Sequence, residues 1–216
     1  MVIPANEPLD VMEALHSTPS RRYLKADPIP DDVLRAILDA AIRGPTPGNA
    51  QNWGWVVVTD PEVKRQVAEW YREGWQRAYG SRREAILAAG PDAGGLGRRN
   101  FLSAEHLAMH LEEVPAWVIP VLGGAAKSQN PRAGSSIYGA VQQLILAARA
   151  FGIGATLTSL YAGHEDDVKQ LLGIPEDALT MALIPLGYPA QGRWAEPKRR
   201  GIDEVVHWER WGTKRP

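Results

Sequence analysis

The chain has 216 residues, no cysteine, and 24 Lys plus Arg against 25 Asp plus Glu. The missing thiols exclude disulfides, thiolate nucleophiles, iron–sulfur ligation and Cys-based zinc sites, and a near-zero net charge leaves no field to draw nucleic acid or an anionic membrane, so a charged ligand has to be met by local clusters. The length suits one folded unit with a sizeable core. The opening "MVIPANEPLD" lacks the basic-then-apolar run of a signal peptide and no segment reaches about 18 consecutive apolar residues, which sets the expectation of a cytoplasmic protein with neither membrane nor nucleic-acid partners.

The first strong element is "DDVLRAILDAAIRG", where Val33, Leu34, Ile37, Leu38, Ala41 and Ile42 recur at helical spacing. Asp31 and Asp32 suit its N-terminal dipole, Arg43 its last turn, and Gly44-Pro45 its stop. A loop rich in Pro, Gly, Thr and Asn then enters the strand "WGWVVV". A second helix starts at Pro61 with Val63, Val67, Trp70, Tyr71 and Trp75 on a rough stripe. The pattern weakens towards residue 100, and "GPDAGGLGRRN" reads as a loop because it lacks the G-x-x-x-x-G-K-[ST] spacing of a phosphate cradle. "SAEHLAMHLEEVP" predicts a helix, "AWVIPVLGG" a buried strand containing Pro120, and "GSSIYGAVQQLILAARAFG" a helix with Ile137, Val141, Leu144, Ile145 and Ala148 on one face. A strand "IGATLTS", a short helix "EDDVKQLLG", a strand "LTMALIPLGYP" and a Pro- and Arg-rich tail over 188–216 complete the chain. Strands separated by helices predict a layered α/β domain.

Familiar catalytic devices are missing. "GSSIYG" has the wrong spacing for a nucleophile elbow. His106 and His110 stand four apart without an H-E-x-x-H motif or a third ligand, so they read as ordinary surface or core histidines. "GIGATL" lacks the last glycine of a dinucleotide fingerprint and follows a helix rather than a strand. Unusual chemistry is left in three places: "TPSRRYLKADPIP", the loop "GPTPGNAQN" and "EPKRRG". The two basic clusters either converge on one anion, for which a phosphate suits paired arginine forks, or lie apart as solvated patches.

These stretches together resemble the nitroreductase family of FMN-dependent oxidoreductases. The likeness runs from about Val11 into the tail and is weakest over 80–104. Ser20, Arg21, Arg22 and Tyr23 with "PIP" match the family's N-terminal pattern. Pro45, Thr46, Asn49, Gln51 and Trp53 fall in step with P-[ST]-x-x-N-x-Q-x-W, "QLILAARAFGIGATLT" matches a helix-to-strand signature over Gln143–Thr158, and Lys198 to Val206 match a C-terminal basic motif. Two departures stand out: Thr18-Pro19 replaces a basic residue before the serine, and Asn52 replaces a common proline.

The resemblance implies an α+β fold, with a central mixed, mainly antiparallel sheet flanked by helices, in an intertwined homodimer with two FMN sites. It implies one domain over 1–216, with the Trp-containing tail, about 188–216, packed on the partner subunit. It implies hydride transfer from NAD(P)H to flavin N5 and on to a nitroaromatic, quinone or similar small acceptor in alternating half-reactions, without a side-chain acid and without a metal. The implied cofactor contacts are Ser20 with Arg21 or Arg22, whose register is open by one; the loop Pro45, Thr46, Pro47, Asn49 and Gln51, reaching the neighbour's flavin; the segment Leu157, Thr158 and Ser159 near N5; and Lys198 and Arg199 at the phosphate. Residues 65–110 are expected to wall the acceptor pocket. A flavin-fragmenting or dehalogenating relative, a non-catalytic FMN-binding protein and a cofactor-free structural dimer are the alternatives, and the donor is NADH, NADPH or a deazaflavin.

Overall fold

A computed structural model describes residues 9–89, 97–126, 128 and 130–215. Residues 1–8 of the N-terminal stretch read for targeting and residues 90–96 of the glycine-rich loop lie outside the described residues. In chain order the elements are α1 (Val11–His16), α2 (Asp31–Ala41), β1 (Trp53–Val58), α3 (Pro61–Tyr79), α4 (Arg83–Ala88), α5 (Arg98–Met109), β2 (Ala116–Leu122), α6 (Tyr138–Ala150), β3 (Gly154–Ala155), α7 (Glu165–Leu172), β4 (Leu179–Thr180), β5 (Ile184–Gly187) and α8 (Ile202–Val205). Helices α1, α4 and α8 are short and are not marked by the apolar periodicity of the sequence. Helix α5 begins before the predicted "SAEHLAMHLEEVP" and gives way to a 3-10 turn at Leu111–Glu113.

The sheet runs β1-β2-β5-β3, with β4 also on β2, and every pairing among the described residues is antiparallel. Its centre, β2, is buried along its whole length. Alternation along that strand sends Trp117, Ile119 and Val121 into one core with α3, α5 and Tyr161, and Ala116, Val118 and Leu122 into a second core with α2 and α6. Helices therefore cover both faces, which is the expected α+β architecture with a mainly antiparallel sheet.

Two predicted strands are shorter than their sequence suggests, and prolines account for both. The segment "LTMALIPLGYP" divides into β4 and β5 opposite Pro120. Val118 pairs with Ile184 and Val121 with Thr180, so two residues of β2 face three of the partner segment, a bulge. Pro120 has no N–H to donate, and only its carbonyl is used, by the Met181 N–H at 2.8 Å. Likewise "IGATLTS" is ladder-paired only at Gly154 and Ala155, and the same register resumes at the isolated Thr158–Leu183 bridge. That register sets Thr156 opposite Pro185, which offers no donor. The backbone of 156 and 157 is thus released from the sheet at its edge.

Helix α3 packs on the 3-10 turn Leu160–His164, where Gly74 lets the Leu160 carbonyl approach so closely that no Cβ fits between them. His164 fastens this contact. Its Nδ1 lies 3.0 Å from Asp167 and its Nε2 2.8 Å from Glu73, while the ring stacks 5.7 Å from Trp70. Hydrogen bonding to Asp167, then to Glu73, raises the imidazole pKa above its ordinary value. A raised folded-state pKa means that the charged form's contribution is complete below the unfolded-state value of about 6.5 and fades as pH climbs through the raised one. His164→Gln is expected to lower stability by about 0.5–1 kcal/mol in mildly acidic buffer, as for partly exposed ion pairs, and by less than half of that under alkaline conditions. Urea midpoints of both proteins across that range test this; a difference that does not change with pH would refute it.

Candidate functional site

Four segments meet in a cleft of about 650 Å³ at the β3 edge of the sheet. The first is the turn after α1. Asp10 caps that helix through the Met12 and Glu13 N–H groups, and the Ser17 and Thr18 hydroxyls close it by donating to the Glu13 and Ala14 carbonyls. The chain then presents Thr18, Pro19 and Ser20 to the cleft. The second segment is one face of α6, with Tyr138, Val141, Gln142 and Ile145 at positions i, i+3, i+4 and i+7. The third is Ala155, Thr156 and Leu157, where the ladder lapses, and the fourth is the tail at Glu196, Pro197 and Arg199.

Local pairing holds these segments in register. The Arg21 N–H donates to the Ala155 carbonyl at 2.9 Å, and the tail pairs with the same N-terminal segment through Lys25 N–H to Tyr188 O (2.8 Å) and Ala190 N–H to Tyr23 O (2.9 Å). Residues 21–25 therefore lie between β3 and the tail. Gly154 permits the approach, since a Cβ there would sit 2.7 Å from the Arg21 Cβ.

The predicted site residues divide between several places. Ser20, Leu157 and Arg199 line the cleft together. The Arg21 guanidinium turns to the tail, donating to the Gly192 and Arg193 carbonyls at 3.1 and 3.2 Å; burial and the like charge of Arg149 lower its pKa. Arg22 points elsewhere, to the Ser103 hydroxyl of α5 at 3.3 Å, with burial lowering its pKa against the opposing effect of Tyr71 and Tyr79. The Thr158 hydroxyl meets the Tyr71 hydroxyl at 2.8 Å, Ser159 is exposed, and Lys198 is exposed outside the cleft lining. His106 stacks between Tyr23 and His110, and His110 meets Glu113 at 2.9 Å.

The loop 45–51 stands apart from this cleft. Thr46 and Pro47 border a second, smaller cavity with Asn52, Gly123 and Gly124. Gly48, Asn49 and Gln51 all take positive φ, of 57°, 55° and 50°, a conformation that costs energy for the two non-glycine residues. The Gln51 N–H donates to Thr46 Oγ1 at 3.1 Å and the Gln51 Nε2 to the Asn49 carbonyl at 3.3 Å, so the loop is braced internally. Pro45, Pro47, Asn49 and Gln51 are all exposed.

Sequence reasoning did not single out Thr156, Gln142, Glu196, Trp194 or Arg149. The 3.6 periodicity of α6 carried a signal for Gln142, which shares a stripe with Val141 and Ile145; the others depend on tertiary contacts. Thr156 is the most informative. It is only 3% exposed, lies in the cleft wall, and its hydroxyl has no hydrogen-bond partner among the described residues. Buried hydroxyls are normally paired, which makes this one a candidate ligand contact.

Residues 16–188 match the model of the nitroreductase family, and the chain belongs to that family. It is 29% identical over 212 residues to the NADH dehydrogenase of Thermus thermophilus, spanning 90% of this chain and 93% of that one. Among solved structures, oxidized iodotyrosine deiodinase bound to FMN and 3-iodo-L-tyrosine superposes with a TM-score of 0.70 at 20% identity, covering 92% of this chain and 100% of the other. A nitroreductase with bound FMN from Desulfitobacterium hafniense DCB-2 gives a TM-score of 0.67 at 20% identity, covering 92% and 97%. The part of the tail that supplies Glu196 and Arg199 lies beyond the family match. No helix among the described residues is long and apolar enough to cross a membrane.

Replacing an unpaired buried hydroxyl with a methyl group of the same shape is nearly neutral or stabilising. Thr156→Val in ligand-free protein is therefore expected to leave the urea midpoint unchanged or raise it by about 0.5 kcal/mol equivalent. A loss of about 1 kcal/mol would mean that the hydroxyl already has a structural partner.

Proposed function

We propose that the protein is an NAD(P)H-dependent FMN oxidoreductase of nitroreductase type, that FMN occupies the cleft, and that the acceptor is a nitroaromatic, quinone or similar small molecule. The observation that carries this reading is the meeting of Ser20, Arg199 and the unpartnered Thr156 hydroxyl in one cleft at the open edge of the sheet, whose volume falls in the range of about 300–1,000 Å³ usual for cofactor sites. When bound, FMN supplies the electron chemistry, accepting hydride equivalents at N5 from a nicotinamide and delivering electrons to an acceptor.

The chain's part is to hold and tune that group. Arg199, with Lys198 beside it on the same exposed tail, binds the phosphate, and Ser20 donates a hydroxyl to it. Thr156 pairs its free hydroxyl with a polar edge of the cofactor. The released main chain of Thr156 and Leu157, with the Ser159 N–H, would supply hydrogen-bonding groups along the ring, whereas the Thr158 N–H and C=O are taken by Leu183. Arg21 and Arg22, whose guanidinium groups turn to the tail and to Ser103, would add positive potential to the surroundings of the bound group. None of these groups serves as a side-chain acid.

The remaining wall comes from a second copy. Loop 45–51, with Pro45, Thr46, Pro47, Asn49 and Gln51 displayed on the surface, lines the neighbour's cleft in a homodimer with two sites. The tail behaves as one part of the same single domain and packs on the partner: Ile202, Val205, Trp208 and Trp211 are exposed, Trp211 by 90%, and large aromatics of this kind anchor interfaces.

Purified flavin-loaded protein is expected to lose its visible flavin absorption when titrated anaerobically with NADH or NADPH, and to regain it on adding a quinone or nitroaromatic. Protein bleached by neither nucleotide would sink the reductive half of this reading, and a colourless protein that rejects added FMN would sink all of it. Truncation after Val206 is expected to shift the dimer toward monomer in sedimentation runs. A truncated protein that stays dimeric and flavin-bound would remove the tail from the interface.

A further inference from the structure

We infer that Trp194 is a positioning residue for the phosphate end of the cleft, acting through Arg199; this rests on the reading of the cleft as an FMN site. Tail residues 191–200 make no main-chain to main-chain hydrogen bond among the described residues, in contrast to Tyr188 and Ala190 just before them. The chain turns at Gly192, with φ 77°, and from there side chains alone hold it.

Those side chains centre on Trp194. The Arg21 guanidinium carbon lies 4.7 Å from the centroid of its ring and the Arg149 guanidinium carbon 4.2 Å. Arg149 is itself fixed from α6, with its side chain 11% exposed, by Glu13 at 3.6 Å and the Ser17 hydroxyl at 3.4 Å. The Nε atoms of both arginines are buried without a hydrogen-bond partner among the described residues, so the indole π face is the counter-group that these two cations share. The strap is tied further by the same Arg21 guanidinium, which donates to the Gly192 and Arg193 carbonyls, and by His16 to Glu196 at 3.4 Å, which joins two exposed side chains and is weak.

The consequence bears on charge in the cleft. Thr18 and Pro19 bring none, and Arg199 is the only lysine or arginine in the lining among the described residues. Among the described residues its guanidinium bonds only to the neighbouring Lys198 carbonyl, at 3.1 Å, so nothing described on the cleft wall holds it there. Where Arg199 sits follows from where the chain is pinned, and the nearest strong pin is Trp194. The clamp unites α6, the segment after α1 and the tail, and thereby sets whether the cleft distinguishes a phosphorylated flavin from one without phosphate.

The test compares dissociation constants of FMN and riboflavin, by quenching of flavin fluorescence, for the full-length protein and its Trp194→Ala, Trp194→Phe, Arg199→Ala and Trp194→Ala/Arg199→Ala variants. Expected for Trp194→Ala is an FMN affinity lower by about tenfold, the scale of a desolvated cation–π contact, with riboflavin affinity within about twofold. Phe is expected to restore most of the loss, and the double variant to bind FMN no worse than Arg199→Ala alone, since both substitutions remove one coupled function. Equal losses for the two flavins, unchanged FMN affinity, or additive effects would overturn the role of Trp194. If Arg199→Ala weakens FMN while Trp194→Ala does not, only this inference falls. If Arg199→Ala leaves both affinities unchanged, the reading of this end of the cleft as a phosphate site falls as well. Should Trp194→Ala fail to fold, Arg149→Met strips one cation from the ring and is expected to show the same selective loss of FMN; a loss shared by riboflavin overturns the inference.

Discussion

In an antiparallel ladder every second pair exchanges N–H···O bonds, and at two such positions in this sheet a proline withholds the N–H. Pro120 sits in β2, buried along its whole length, where its partner segment bulges, and Pro185 sits in β5, where the strand "IGATLTS" would otherwise continue its pairing. The second omission decides the geometry of the cleft. With no donor opposite it, Thr156 leaves the ladder one residue after β3 ends, and the register is recovered only at Thr158. A polar side chain and two peptide units are thereby set at the sheet edge beside α6. The cores on both faces of β2 hold that edge in place, because Ile153, Ala155 and Leu186 belong to the same apolar cluster as α2 and α6.

Electrostatics around this edge are unbalanced in one direction. Arg21 and Arg149 are drawn into a half-buried environment, each with its pKa lowered first by burial, and of the two only Arg149 has a carboxylate in ion-pair range among the described residues, the exposed Glu13. Burying like charges side by side is unfavourable and is offset here by the Trp194 ring and by main-chain carbonyls of the tail. The tail is therefore more than a trailing segment: it gives two half-buried cations a shared counter-group, and its own Arg199 lines the cleft. A net charge of -1 over the chain hides this local excess, which is why whole-chain charge speaks only against non-specific attraction of polyanions.

Long elements were legible in the sequence because their period is set by burial on one side. Helix α2 shows this well, since Leu34, Ile37 and Ala41 are buried as their spacing predicts, and so does β2 with its unbroken apolar run. The short helices α1 and α4 were not legible: α1 buries a single residue, Ala14, and α4 none, so no periodicity is imposed on them. Strand lengths were overestimated for a different reason. Apolar character persists through "LTMALIP" and "IGATL" because those residues are buried, but pairing also depends on which residue lies across the ladder, and that is a tertiary fact. Ser20, Leu157 and Arg199 were reachable through motif resemblance and meet in the cleft, whereas Thr156 and Trp194 carry no local mark. The choice between Arg21 and Arg22 was open by one position, and the structure separates the two: one is committed to the tail, the other to Ser103 on α5.

The loop 45–51 is braced internally but displays its polar side chains to solvent. Three of its residues adopt left-handed backbone, two of them without the freedom of glycine, and the Thr46 hydroxyl is spent on bracing Gln51. Such an arrangement holds Asn49 and Gln51 outward, exposed, beside a shallow cavity and far in function from the cleft of the same chain. Strain held in place by internal hydrogen bonds but pointing at solvent yields no stability in isolation. It becomes intelligible once another surface meets it. The exposed apolar side chains of α1 and of the tail, Val11, Met12, Leu15, Ile202 and Trp211, pose the same question of what covers them, and the proposed homodimer would answer both with one interface.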